Sequence, residues 1–138
     1  MKKVLVITHR SENTATWLEL EQFISEFCQN VSAKLDNVEL IYTTYGDMVY
    51  TLESGKTKIF DSRNKLDISK VQLVHFKNWL HNTAEAPVIA AYLKSNNIPF
   101  YNSEVSLPIS PGKLAQMFLL ASNEIPVPDT FYAPQKRL

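Results

Sequence analysis

The sequence predicts an α/β fold built mainly on a parallel, doubly wound sheet. Val4-Leu5-Val6-Ile7-Thr8 is a continuous run of strand formers, the pattern of a strand covered on both faces. A long helical periodicity follows, and a second run, Val38-Glu39-Leu40-Ile41-Tyr42, comes after it. Strand, helix and strand in that order open a parallel sheet, because parallel neighbours need a crossover long enough to hold a helix.

After the first strand, His9-Arg10-Ser11-Glu12-Asn13 reads as a polar loop. Trp17, Leu20, Ile24, Phe27 and Val31 step by threes and fours, with Phe23 and Leu35 close to the same face. The spacing predicts a helix from about Ala15 to Lys34, with Trp17, Phe23 and Phe27 as its core stripe. Asp36-Asn37 and Gly46-Asp47 bound the second strand. Met48 to Leu52 and Lys56 to Phe60 flank Glu53-Ser54-Gly55, an inserted β-hairpin whose glycine takes positive φ. That insert is expected at a sheet edge or over a site, followed by a polar connection from Asp61 to Ser69.

Val71 to Phe76 is a third sheet strand, with His75 expected as a satisfied structural histidine inside it. Asn82 to Glu85 suggest a helix start, and Pro87 is tolerated only near the first turn. Val88, Ala91, Tyr92 and Ser95 fall on one side, and Asn96-Asn97 ends the helix. Ile98, Phe100 and Tyr101 make the last sheet strand. Ser110 can cap a further helix with Pro111 at its first position, and Leu114, Met117, Phe118 and Ala121 form its apolar face. Asn123 is the expected left-handed stop, before Ile125-Pro126-Val127-Pro128 forces an extended path to Thr130-Phe131-Tyr132.

The 138 residues are 45% apolar and 20% charged, which fits one soluble domain. Fourteen basic and fourteen acidic residues cancel, so net charge gives no reason to expect nucleic acid or an anionic membrane as partner. Cys28, the only cysteine, excludes an internal disulfide and reads as a buried, inert thiol. The apolar run near the start is too short for a signal peptide or a span, so a cytoplasmic location is expected.

Ligands of open α/β sheets bind beyond the carboxyl ends of the strands. That rule nominates His9 and Arg10 after the first strand, Lys77 and Asn78 after the third, and Asn102 and Ser103, with Glu104 next, after the fourth. The cations suit a carboxylate or phosphate, and the amide and hydroxyl suit a polar substrate group. Each also has a plainer reading: solvated loop residues for His9 and Arg10, and a turn satisfying its own backbone for Asn102 and Ser103. His9, His75 and His81 share no metal-ligand spacing, and glycine-rich phosphate loops and nucleophile elbows are missing from the sequence.

A Pro-Phe-x-Asn-Ser strand end at Pro99 to Ser103, a Lys113-Leu114 helix start and Ile125-Pro126-Val127-Pro128 with Thr130 resemble the N-terminal, pre-ATP-grasp domain of ATP-grasp carboxylate–amine ligases. The closest likeness is to the RimK and glutathione synthetase types, specific from about Val71 to Ala133 and architectural before that. The resemblance implies a Rossmann-like three-layer domain over residues 1–125, and an exit segment, 126–138, leading to an ATP-grasp domain beyond Leu138. It implies an amino-acid or peptide substrate, with ATP and magnesium bound by the later domain and no cofactor in this chain. The 138-residue chain alone is then catalytically incomplete. Self-association is expected if apolar surface near Leu138 normally meets that domain.

The chain departs from the family pattern at three places. Lys77 stands where glutathione synthetase-like domains place an arginine toward the substrate, and lysine lacks the planar two-pronged contact. Gly112 replaces a residue that is often acidic, and Glu124 a frequent glycine, leaving Asn123 to supply positive φ. The alternative to a ligase domain is a stand-alone Rossmann-like binding or interaction module. A third reading, the acceptor-side half of a glycosyltransferase, is disfavoured by the Ile125 to Pro128 exit.

Overall fold

Two four-stranded sheets of opposite character contribute to one core. The computed structural model describes residues 1–102, 105 and 113–134. In chain order the elements are β1 (Lys2–Thr8), α1 (Thr14–Lys34), β2 (Val38–Thr44), β3 (Met48–Glu53), β4 (Lys56–Asp61) and β5 (Leu66–Asp67), then β6 (Leu73–Phe76), α2 (Ala86–Ser95), β7 (Phe100–Tyr101), α3 (Lys113–Ser122) and β8 (Thr130–Tyr132). The first sheet runs β2-β1-β6-β7 with every pair parallel. The second runs β5-β4-β3-β8 with every pair antiparallel.

The α/β class is therefore as expected, but parallel pairing is confined to one sheet of two. The reason lies in the hairpin. Met48, Tyr50 and Leu52 are buried while Val49 and Thr51 are half-buried, the alternation of a strand with one covered face. Such strands pair antiparallel and lay one face on a core. The hairpin thus founds a sheet of its own instead of decorating the edge of the first. Ser54 (φ 52°) and Gly55 (φ 73°) form its two-residue turn, both in the left-handed region that matches the twist of the flanking strands. β5 lies in the stretch expected to be polar connection, and β8 returns after α3 to pair with β3.

Leu5, Ile7, Val74 and Phe76, on one face of the parallel sheet, share a cluster with Ile89 and Leu93 of α2. Tyr50, Leu52 and Ile59 of the antiparallel sheet and Phe118 of α3 complete it. Each such side chain contributes about 1.5–3 kcal/mol by leaving water. Both short helices end in the same way. Asn97 (φ 57°) and Glu124 (φ 60°) are left-handed, and the next residues, Ile98 and Ile125, donate back to Leu93 and Leu120. The left-handed stop after α3 is accordingly Glu124, not Asn123, because the closing bonds fall one residue later.

α3 buries Leu114, Phe118 and Ala121, as its spacing predicts; its expected cap, Ser110-Pro111-Gly112, lies outside the described residues. α2 buries Ala86, Val88, Ile89, Ala90, Tyr92 and Leu93, whereas Ala91 and Ser95 face solvent, a correction to the expected face. The helix packs against both α3 and β4, so its covered side is broad and turned away from those two positions.

α1 is capped by Asn13, whose side chain accepts from the Thr16 N–H at 3.1 Å. It packs on β2 through a line that buries Trp17, Ile24 and Cys28. Phe23 and Phe27, expected in the core, are 62% and 50% exposed. They lie on the flank of that contact line, facing a groove beside β6. His75, expected inside, is exposed on the same side, with its ring 6.2 Å from that of Tyr101.

Candidate functional site at the carboxyl ends of β1 and β6

The order β2-β1-β6-β7 makes β1 and β6 neighbours although four strands separate them from one another's ends in the chain. One crossover leaves toward β2 and the other toward β7, so this pair marks the reversal of strand order where a crevice forms. Ile7 pairs with Phe76, and the Lys77 N–H donates to the Ile7 carbonyl at 2.8 Å. His9 and Arg10 therefore leave the sheet beside Lys77 and Asn78.

Asn78 is left-handed (φ 52°) and turns the chain into a short 3-10 turn, Trp79–His81. The turn brings His81 and Asn82 to His9. His9 Nδ1 lies 2.8 Å from Asn82 Oδ1, and the His9 and His81 rings stack at 4.5 Å. With the amide oxygen as acceptor, Nδ1 carries the hydrogen and Nε2 keeps its lone pair in the neutral ring. Arg10 is drawn the other way, its guanidinium carbon 5.9 Å from the centroid of the buried Trp17 ring. The Lys77 carbonyl accepts from Tyr45 Oη at 3.0 Å, and burial pushes that phenol well above its usual pKa. The Lys77 side chain faces the groove beside α1.

Asn102 has a scaffold role. Its Nδ2 donates to the Phe76 carbonyl while its own backbone is left-handed (φ 67°), tying the end of β7 to the end of β6. Ser103 and Glu104 lie outside the described residues. Of the nominated residues, then, His9, Arg10, Lys77 and Asn78 gather at one edge, and Asn102 uses its donor group to hold that edge together. His81 and Asn82 are part of the site and were missed. Asn82 is 73 residues from its partner, and no local pattern marks such a pairing.

The end of β1 carries another feature. The Thr8 hydroxyl is fully buried and has no hydrogen-bond partner among the described residues, a costly state for a polar group. His9 is hydrogen-bonded to the Asn82 amide and stacked on His81, which fixes its ring at the end of β1. Among the described residues no group of His, Cys, Asp or Glu could hold a metal ion, and no helix is long and apolar enough to cross a membrane.

Fold and edge together define an α/β domain with a sheet reversal point beside which the segments carrying His9, Arg10 and Lys77 leave the sheet. No protein-family model, curated protein sequence or solved structure matches the chain.

Proposed function

We propose that the chain is the substrate-side, N-terminal domain of an ATP-dependent carboxylate–amine ligase of the ATP-grasp superfamily, a Rossmann-like pre-ATP-grasp domain that is catalytically incomplete alone. The observation that supports this reading best is that the segments carrying His9, Arg10 and Lys77 leave the sheet side by side at the β1–β6 reversal point. The Asn102 tie at the end of β7, and the helix and proline-paced exit that follow, agree with it in order.

Arg10 and Lys77 supply positive charge for the carboxylate of an amino-acid or peptide substrate, and His9, steadied by Asn82 and His81, offers Nε2 to a donor group on it. ATP with magnesium, bound by a later domain, would activate a carboxylate as an acyl phosphate for attack by an amine. In this reading the chain binds and orients substrate, and the later domain supplies the nucleotide and the metal.

The test is coupled ATP consumption with a panel of amino-acid and dipeptide acceptors. It is run on the 138-residue chain and on the product of the reading frame continued past Leu138. The isolated chain should not turn over. The longer product should ligate, and Arg10→Ala and Lys77→Ala should each raise KM about tenfold, the loss of one charge-assisted contact. Turnover by the isolated chain, or a longer product without ATP-dependent ligation, overturns the reading. The second outcome would leave a stand-alone Rossmann-like binding or interaction module.

A further inference from the structure

The groove between α1 and β6 has the chemistry of a ligand site. Its volume is about 300 Å³, at the lower end of the range for small-molecule pockets. α1 contributes Phe23, Ile24, Phe27 and Cys28, and the sheet contributes Val6, His75 and Lys77. Five of these seven are aliphatic, aromatic or thiol side chains, and neither aspartate nor glutamate is among them. Phe23 and Phe27 stand at the rim with half or more of their surface in water, a cost that a covering ligand would remove. Burial holds the Cys28 thiol above its usual pKa, so it lines the groove as a neutral, apolar group.

The polar end decides the ligand. The Lys77 ammonium has no carboxylate partner among the described residues, and the His75 ring lies 6.2 Å from the Tyr101 ring. An apolar trough ending in an unpaired cation complements a molecule with a hydrocarbon body and one negative head. We propose that this groove binds a small amphipathic monocarboxylate, its chain along Phe23 and Phe27 and its head at Lys77. The inference shares Lys77 with the ligase reading but is tested separately from it, because equilibrium binding to the 138-residue chain requires neither ATP nor a second domain.

Octanoate is the probe and octanol its neutral counterpart, followed by amide chemical shifts of the full chain. Octanoate should shift Val6, Phe27 and Lys77 saturably, and octanol should bind about tenfold more weakly. Lys77→Gln should lower octanoate affinity about tenfold and leave octanol unchanged. Phe27→Ser, at a half-exposed position, should weaken both; thermal unfolding of each variant checks the fold. No saturable shift at millimolar octanoate, or an affinity indifferent to Lys77→Gln, overturns the proposal. So does a concentration-dependent dimer in sedimentation that Phe27→Ser abolishes and octanoate does not disturb, since the groove would then be an interface between copies.

Discussion

Arg63 Nε donates to Asp47 Oδ2 at 3.0 Å, and the same guanidinium reaches Glu21 Oε1 at 2.8 Å. The Asp47 side chain is 1% exposed and that of Arg63 is 26% exposed. One side chain from the loop after β4 thus joins α1 to the turn after β2. Removing it takes an ion pair from a buried carboxylate that also accepts from the Thr44 hydroxyl at 2.8 Å, which is more costly than losing an exposed pair. Arg63→Ala should therefore destabilise the fold by about 2–3 kcal/mol, discounted for the partial exposure of the guanidinium. The urea midpoint checks this, and Arg63→Lys should recover only part of the loss, since an ammonium cannot span both carboxylates in one plane.

Alkaline pH should destabilise the protein through phenols that the fold shields in whole or in part. Burial, then the Glu85 carboxylate beside it, pushes Tyr132 up to about 12, and Tyr92 is pushed up to about 12, chiefly by burial. Both phenols ordinarily titrate near 10.0. A folded-state pKa above the unfolded one means that the unfolded chain loses its protons first. This contribution to stability is complete below pH 10 and is lost as pH rises from there toward 12. Urea midpoints followed alongside phenolate absorbance should be flat with respect to these groups below pH 10 and fall above it. A midpoint that holds to pH 12 would refute the assignment.

The hairpin turn yields two substitutions of opposite sign. Ser54 is left-handed at a position where asparagine is the preferred residue, so Ser54→Asn should stabilise by about 0.5 kcal/mol. A Cβ at Gly55 would meet nothing within 4 Å, so Gly55→Ala isolates backbone strain and should cost about 1–2 kcal/mol. Thermal unfolding of the two single variants measures both.

Asn102 separates scaffold from substrate contact. Asn102→Ala removes the donor to the Phe76 carbonyl and places alanine at φ 67°, and should cost about 2–3 kcal/mol. Asn102→Gly relieves the strain and should cost about 1 kcal/mol less. Any loss of ligand affinity should follow this stability ranking. Equal affinity losses in the two variants, out of step with stability, would instead assign Asn102 to the ligand.

Much of the architecture is legible in local patterns. Val4 to Thr8 shows a buried strand, Ser54-Gly55 a turn, and Leu114, Phe118 and Ala121 an apolar face, because each depends on spacing within a few residues. His9, Arg10, Lys77 and Asn78 could be nominated because they directly follow strands. The errors share a cause. Phe23 and Phe27 have the period of a core stripe, yet the helix presses its other flank on the sheet. His75 alternates like a strand residue, but its side chain faces the open groove beside α1 and stays exposed.

The sequence by itself determined where the main helices, strands and hairpin fall, though not the short strand β5, since propensity and periodicity act over one or two turns of chain. Only the tertiary structure decided that β1 lies between β2 and β6, that the hairpin begins an antiparallel sheet with β8, and that His9 meets His81 and Asn82. Periodicity records that a face is buried without recording against what. Partners such as His9 and Asn82, 73 residues apart, are chosen by the packing of whole elements and leave no mark on the residues around either one.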